Sequence, residues 1–422
     1  MPVVDTWHKT VKLPDGSARR EKSASYGRGK RWAARYRDSN GQQKSPKFRT
    51  KPEAERHLKK VEGELARGLY VDPSAGQVTL KEFAEDVVKN ASVEESSRHD
   101  LERRFRKHVY PFLGGSQLRA IRPSMIQEWI KGRSAELGDQ TVRTVFDNLS
   151  MVFQAAVDDE LIARNPCRAG SVKPPSVTRR KVIPWSVELV SGIRSALPAR
   201  YQALVVPGAG CGLRQGEVLG LAVDDLSASK HTLHVRRQVK LMAGKPVFAP
   251  PKGGKEREVP LPGHVLSALA AHMERFPPVA VTLPWKHFGG KPVTVSLIFT
   301  SRERKALNAT YVNAYLWKPA LVAAGVLPAP PAGERIQAAH DKGFHQLRHH
   351  YASVMLDSGV SVRALADFLG HHDPGFTLRT YAHMMPKNEE RAREAIDRAW
   401  SAVDGLRSPC APDVRPSDSQ GS

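Results

Sequence analysis

The chain has 422 residues and a mass of 46.6 kDa, more than one ordinary domain holds and enough for two or three. Its 65 Lys and Arg against 43 Asp and Glu give a formal charge of +22 and a pI of about 10.0, a balance that favours a polyanionic partner, nucleic acid first. No run approaches the roughly 18 apolar residues of a membrane span, the first residues lack the apolar centre of a secretion signal, and the three scattered cysteines, Cys167, Cys211 and Cys410, exclude a disulfide framework and a four-cysteine zinc site. These features predict a folded, soluble, cytoplasmic protein with no membrane partner.

Residues 1–60 hold 17 Lys or Arg and 6 Asp or Glu, a net of +11, which is half the excess charge of the chain in about a seventh of its length. A separate module of about 70 residues is expected there. Trp32 to Arg37 and Lys47 to Arg49 flank Asp38-Ser39-Asn40-Gly41, and an Asn-Gly turn between two strand-like runs predicts a hairpin. Thr50 with Glu53 three residues on predicts a capped helix to about Arg67. Aromatic and basic residues interleave on this hairpin, so Arg31, Trp32, Arg35, Arg37, Lys47 and Arg49 are candidate nucleic-acid contacts. A linker follows at residues 71–78.

Residues 76–166 read as helices. Leu80, Phe83, Val87 and Val88 keep helical spacing, as do Val142, Val145, Leu149, Val152, Phe153 and Ala156. Asn165-Pro166 ends this block. Residues 167–180 carry two prolines and several basic residues and are expected to be an extended linker, with Arg179 and Arg180 close to the polyanion. From 181 to 403 helices dominate, with a strand-rich insert between about His231 and Leu261, and the Ser, Pro and Asp-rich tail 404–422 is expected to be disordered. The fold class is therefore α+β and multidomain: a small sheet with one helix, an all-α block, and a mainly α domain with a small sheet insert.

Four segments carry chemistry. GCGLRQGEVLGL (210–221) places Arg214 among glycines at a helix start, with Glu217 one turn on; PPKGGKEREVPLP (250–262) reads as a hairpin with Lys252 at its tip. GFHQLRHHYASVMLDSGV (343–360) reads as a helix with an apolar face of Leu347, Tyr351, Val354 and Met355, from whose centre His345 and Arg348 project by roughly 135° and 75°. The helix Val362 to Leu369 closes on Gly370, and in HHDPGFTLRTYAH (371–383) Asp373 and Pro374 open a further helix that carries Tyr381 two turns in. Each segment alone is compatible with an ordinary surface.

Together, in this order and spacing, GLRQGEVLGL, the lysine before REVPLP, HQLRHHYAS and LGHHDPGFTLRTYAH resemble the catalytic domain of tyrosine recombinases, the phage integrase family. The resemblance extends over everything except the tail. It implies an arm-type DNA-binding module at 1–70, a core-binding domain at 76–166 and a catalytic domain at 181–403, and it puts the catalytic set on Arg214, Lys252, His345, Arg348, His371 and the nucleophile Tyr381. It further implies double-stranded DNA attachment sites as substrate, a tetramer on DNA, DNA-bending and directionality proteins as partners, and neither cofactor nor metal.

The residue types suit that chemistry. A phenol near pKa 10 is only about 0.1% ionised at neutral pH and needs a base or concentrated positive charge. Two arginines can hold the non-bridging oxygens of a phosphodiester, His371 can donate to them, His345 can accept the phenolic proton, and Lys252 can protonate the departing 5′ oxygen. A zinc-hydrolase reading of His345 and His349 fails because Gln346 stands where a glutamate base is needed. A non-catalytic DNA-binding regulator is the alternative, and it has no use for Tyr381 beside both arginines.

Overall fold

The computed structural model describes residues 2–12, 17–38, 41–68, 70–72, 75–177, 181–337, 340–384 and 389–404. The chain divides into two compact units, 1–179 and 180–422. Among the described residues no helix is long and apolar enough to cross a membrane.

Two separate cores occupy the first unit. In the smaller, Trp32–Ala34 lies between Val3–Asp5 and Lys47–Phe48, antiparallel to both, with Trp32 opposite Phe48. The strands around Asn40-Gly41 thus pair as their sequence predicts. The Lys51–Ala66 helix begins after Thr50, whose N–H donates to Glu53 Oε2 at 3.3 Å, and it buries Ala54, Leu58 and Val61 against Ala34 and Tyr36. The strands Val3–Asp5, His8–Lys12 and Ala18–Lys22 carry no alternating apolar pattern that would predict them from sequence. Val3–Asp5 is held by pairing with the distant Trp32–Ala34, His8–Lys12 and Ala18–Lys22 pair with each other, and Asp5 binds Arg20 and Arg31.

The second core is helical: Leu80–Asn90, Glu95–His108, Pro123–Ser134 and Asp139–Asp158. Leu80, Phe83, Val88 and all six residues singled out between Val142 and Ala156 are buried in it, and Val87 packs at its edge. The segment after Pro166 does not leave the block as an extended linker, because Cys167 and Val172 are buried in the same core and the Lys173 N–H donates to Gln127 Oε1 at 2.7 Å. Two apolar side chains outweighed the loop signal of the surrounding prolines. Arg179 and Arg180 lie outside the described residues.

In the second unit, Thr232–Val235 pairs with Leu226–Ser227 and Arg257–Pro260, and Gln238–Met242 pairs with Lys245–Ala249. The stretch 250–262 is therefore not a hairpin. The strands flanking Lys252 join different partners, and the turn between them crosses from one sheet to the other, with Gly253 and Gly254 at φ 85° and 72°. A further hairpin, Val279–Pro284 with Pro292–Leu297, extends the strand-rich region past Leu261. Helices Val205–Cys211, His345–Asp357, Val362–Leu369 and Pro374–Tyr381 complete the part that matters for chemistry. Asp373 caps the last of these by accepting from the Gly375 N–H at 2.8 Å. The helix Glu389–Asp404 follows; of the tail, residues 405–422 lie outside the described residues.

Candidate active site

Two helix ends collect the cations. The Val205–Cys211 helix closes on Gly212 at φ 67° and the Val362–Leu369 helix on Gly370 at φ 62°, left-handed conformations that a side chain would strain; at Gly212 a Cβ would also stand 2.5 Å from the Tyr351 ring. Each termination leaves last-turn carbonyls unpaired at the negative end of the helix dipole. Arg348 Nη1 donates to Gly212 O at 2.8 Å and Nη2 donates to Leu369 O. Arg214 Nη2 donates to Gly370 O at 3.4 Å, and Arg257 Nε donates to Phe368 O at 2.7 Å. Three consecutive carbonyls thereby hold three arginines.

Clustered cations need a counter-charge, and Glu217 supplies it. Its side chain is fully buried and accepts from Arg257 Nη1 at 3.0 Å and Nη2 at 2.7 Å, from Arg214 Nη1 at 2.9 Å and from the Arg214 N–H at 2.9 Å. Burial alone would raise this carboxyl, but the bonds and charge of Arg257, with Arg214, overcome it and hold the pKa at about 2. Glu217→Ala would leave two confined guanidiniums unpaired, and a destabilisation of about 3–5 kcal/mol is expected in urea or thermal unfolding. A loss below about 1 kcal/mol would show that water replaces the carboxylate without cost.

The helical projection placed Arg348 partly outward, whereas the structure buries it completely. Its helix is covered on two sides: Leu347 enters the large core, while Tyr351, Ala352 and Leu356 pack with Leu365, Leu369 and Tyr381. Val354, expected on the apolar face, is exposed instead. Burial, then Arg214, pulls the Arg348 pKa down to about 9, so the guanidinium remains charged at neutral pH. Its buried Nε–H has no acceptor among the described residues.

The remaining groups surround these arginines. His345 stands at the open edge of the cluster, where lost hydration and then His349, Arg348 and Arg214 draw its pKa well below the usual histidine value. His371, directly after Gly370, has Nδ1 at 2.6 Å from Thr377 Oγ1, and burial with Arg348 and Arg214 lowers it to about 3. Its neighbour His372 is exposed. Tyr381 is 1% exposed, and its hydroxyl lies 2.8 Å from His349 Nδ1. Burial pushes the phenol up to about 12, against the pull of Arg348 and Arg214. At neutral pH the histidines and the phenol are uncharged, and the arginines carry the positive field.

Of the expected catalytic set, the structure brings together Arg214, His345, Arg348, His371 and Tyr381, and leaves Lys252 exposed on its turn outside this network. The tyrosine hydroxyl meets His349, not the expected His345. Arg257 and His349 were not singled out for this chemistry, although REVP alternates Arg257 with buried Val259 and His349 follows His345 by one helical turn. In the N-terminal module Arg35, Arg37, Lys47 and Arg49 are exposed. Arg31 is instead tied to Asp5 at 2.9 Å and stacked on Trp32, which is itself half-buried; an internal carboxylate claims a charge that sequence assigned to DNA.

Residues 187–388 match the phage integrase family, and residues 79–133 match the phage integrase N-terminal SAM-like domain. The chain belongs to the phage integrase family. It is 28% identical over 364 residues to a prophage phiRv2 integrase of Mycobacterium tuberculosis, covering 84% of this chain and 88% of that one. It is 26% identical over 388 residues to a XerC-like tyrosine recombinase of Caldanaerobacter subterraneus subsp. tengcongensis, covering 86% and 93%. Among solved structures, the Tn1549 transposon integrase in complex with transposon right end DNA superposes with a TM-score of 0.60 at 18% identity, over 76% of this chain and 99% of that one. A lambda integrase tetramer bound to a Holliday junction gives 0.54 at 17%, over 81% and 93%. The shared architecture is the multidomain α+β fold of integrases.

Proposed function

We propose that this chain is a site-specific DNA recombinase that cleaves and rejoins strands through a 3′-phosphotyrosyl link at Tyr381, integrating, and in reverse excising, a phage or mobile element. The observation that carries this reading is the convergence of two arginines, Arg214 and Arg348, on a single helix end, with the buried Tyr381 phenol inside the field of both. Arg348 brings a buried N–H that lacks an acceptor among the described residues, and a phosphodiester oxygen is an acceptor of the right charge.

In this reading the two guanidiniums grip the non-bridging oxygens and offset the charge that grows in the pentavalent transition state. His371, with Nδ1 engaged by Thr377, offers Nε2 to the same oxygens, and His345 flanks the phosphate from the helix edge. Lys252 rides on a turn with two left-handed glycines and protonates the leaving 5′ oxygen once DNA draws it in. One phosphoester replaces another, so a second strand's 5′ hydroxyl reverses the step without an external energy source.

The chain's other parts fit the same task. Residues 1–70 serve as an arm-type DNA-binding module through exposed Arg35, Arg37, Lys47 and Arg49, and 76–166 as the core-binding domain, with phosphate contacts supplying most of the affinity. Joining two sites takes four cleavages, which a tetramer on DNA supplies, and bending and directionality proteins are its expected partners. The cytoplasm, where the chromosome is reached, is the place of action.

The test uses a nicked attachment site, located from DNA flanking the gene, and denaturing gels. A covalent protein–DNA adduct is expected, slowed at least about 10²-fold by Arg348→Ala and unaffected by EDTA, because the arginines supply the charge stabilisation. Strong EDTA inhibition reversed by zinc would contradict this account.

A further inference from the structure

Among the described residues, the side chain that meets the Tyr381 hydroxyl is His349, which strand transfer as set out so far does not use. His349 lies one helical turn beyond His345 on the His345–Asp357 helix, and its Nδ1 is 2.8 Å from the Tyr381 hydroxyl. The two histidine rings meet edge to face with centroids 4.7 Å apart, so His349 stands between His345 and the tyrosine. We propose that His349 takes the phenolic proton as Tyr381 attacks phosphorus and returns it when the strand is resealed. The inference rests on the strand-transfer reading and reassigns one proton within it.

The Oη–H bond of Tyr381 breaks, its electron pair forms the new Oη–P bond, and the proton passes to the lone pair of His349 Nδ1. The P–O5′ bond breaks with its electrons on O5′, which takes a proton from Lys252. Resealing runs the same transfers backwards: the attacking 5′ hydroxyl gives its proton to Lys252, and the His349 imidazolium reprotonates the departing phenolate.

Nδ1 must be the unprotonated nitrogen, so Nε2 carries the ring hydrogen. Burial, then Arg348, lowers the His349 pKa to about 4, which keeps the ring neutral and its lone pair free before attack. The phenol, held near 12, keeps its proton until its oxygen begins to bond to phosphorus; transfer is therefore concerted with attack. The groups facing the pair are Arg348 and His345 from the His349 helix and Arg214, which acts on the phenol from the segment after Gly212, and the phosphate anion offsets the Arg348 charge that depresses the imidazole. His345, with no hydrogen bond to the phenol among the described residues, is left to contact the phosphate.

The test measures the rate of adduct formation on a nicked attachment site for the full chain and its variants. His349→Ala is expected to slow adduct formation by about 10² to 10⁴ while DNA affinity stays within about threefold. His349→Asn, which can still hold the hydroxyl but cannot take its proton, is expected to be equally slow. Putting difluorotyrosine, a more acidic phenol, at position 381 should restore at least about tenfold to His349→Ala and little to Arg214→Ala, since only the former lacks a proton acceptor. A His349→Ala rate within about threefold of wild type overturns the proposal. So does a fast His349→Asn, or a slow His349→Ala without selective rescue, either of which makes His349 a positioning group. If the wild-type chain itself forms no adduct, the strand-transfer reading falls and takes this inference with it; an adduct from wild type with a fast His349→Ala removes this inference alone.

Discussion

Tyr381→Phe is expected to eliminate strand cleavage altogether while leaving DNA affinity within a few fold. The substitution removes one oxygen from a ring that is 1% exposed and packed with Tyr351, Leu365 and Leu369. Nothing else in the site offers a comparable nucleophile among the described residues: His371 is held by Thr377, His345 lies against the His349 ring, and Tyr351, whose hydroxyl has no partner, is pushed far up by burial and lies on the Gly212 side of the helix. The lost hydroxyl is also the acceptor or donor for His349, so one neutral hydrogen bond disappears, at a cost of about 1 kcal/mol. A folded, DNA-binding, cleavage-dead variant is the expected product, checked by melting temperature, gel shift and denaturing gel. Residual adduct at even a hundredth of the wild-type rate would place the nucleophile elsewhere.

The second large effect belongs to Lys252. If it protonates the departing 5′ oxygen, Lys252→Ala forces an alkoxide to leave unaided, and cleavage should slow by about 10² to 10⁴. A substrate with sulfur at the bridging 5′ position leaves without a proton. It should restore much of the rate to Lys252→Ala and almost none to Arg348→Ala, whose loss is in charge stabilisation. Because Lys252 is exposed on a turn, its removal should leave the unfolding midpoint unchanged. Failure of the sulfur substrate would reduce Lys252 to a phosphate contact and move the search to Lys255, on the same turn.

Much of this was legible because local rules and global need agreed. Thr50 with Glu53, Asp373 with Pro374, and the apolar positions from Val142 to Ala156 announce their helices through capping and periodicity, and the structure keeps them. What stayed hidden depends on contacts distant in sequence. Periodicity could not bury Arg348, because the two helix ends that receive it come from residues 212 and 369. The pairing of Glu217 with Arg257, 40 positions apart, turns a helix-cap glutamate into the counter-ion of the whole site. Strand pairing across 250–262 follows the partners on either side, not the turn itself, so the glycines that signal a bend gave a false hairpin. In sequence His349 suggests only a metal-ligand pair with His345, because the tyrosine it meets lies 32 positions further along the chain.

The central claim is that Tyr381 becomes covalently joined to a DNA 3′ end. Mass spectrometry of the adduct trapped on a nicked attachment site, after nuclease and protease digestion, tests it most directly. A nucleotide attached through its 3′ phosphate to the peptide containing Tyr381 is the predicted result. Attachment at any other residue, or through a 5′ phosphate, would contradict it.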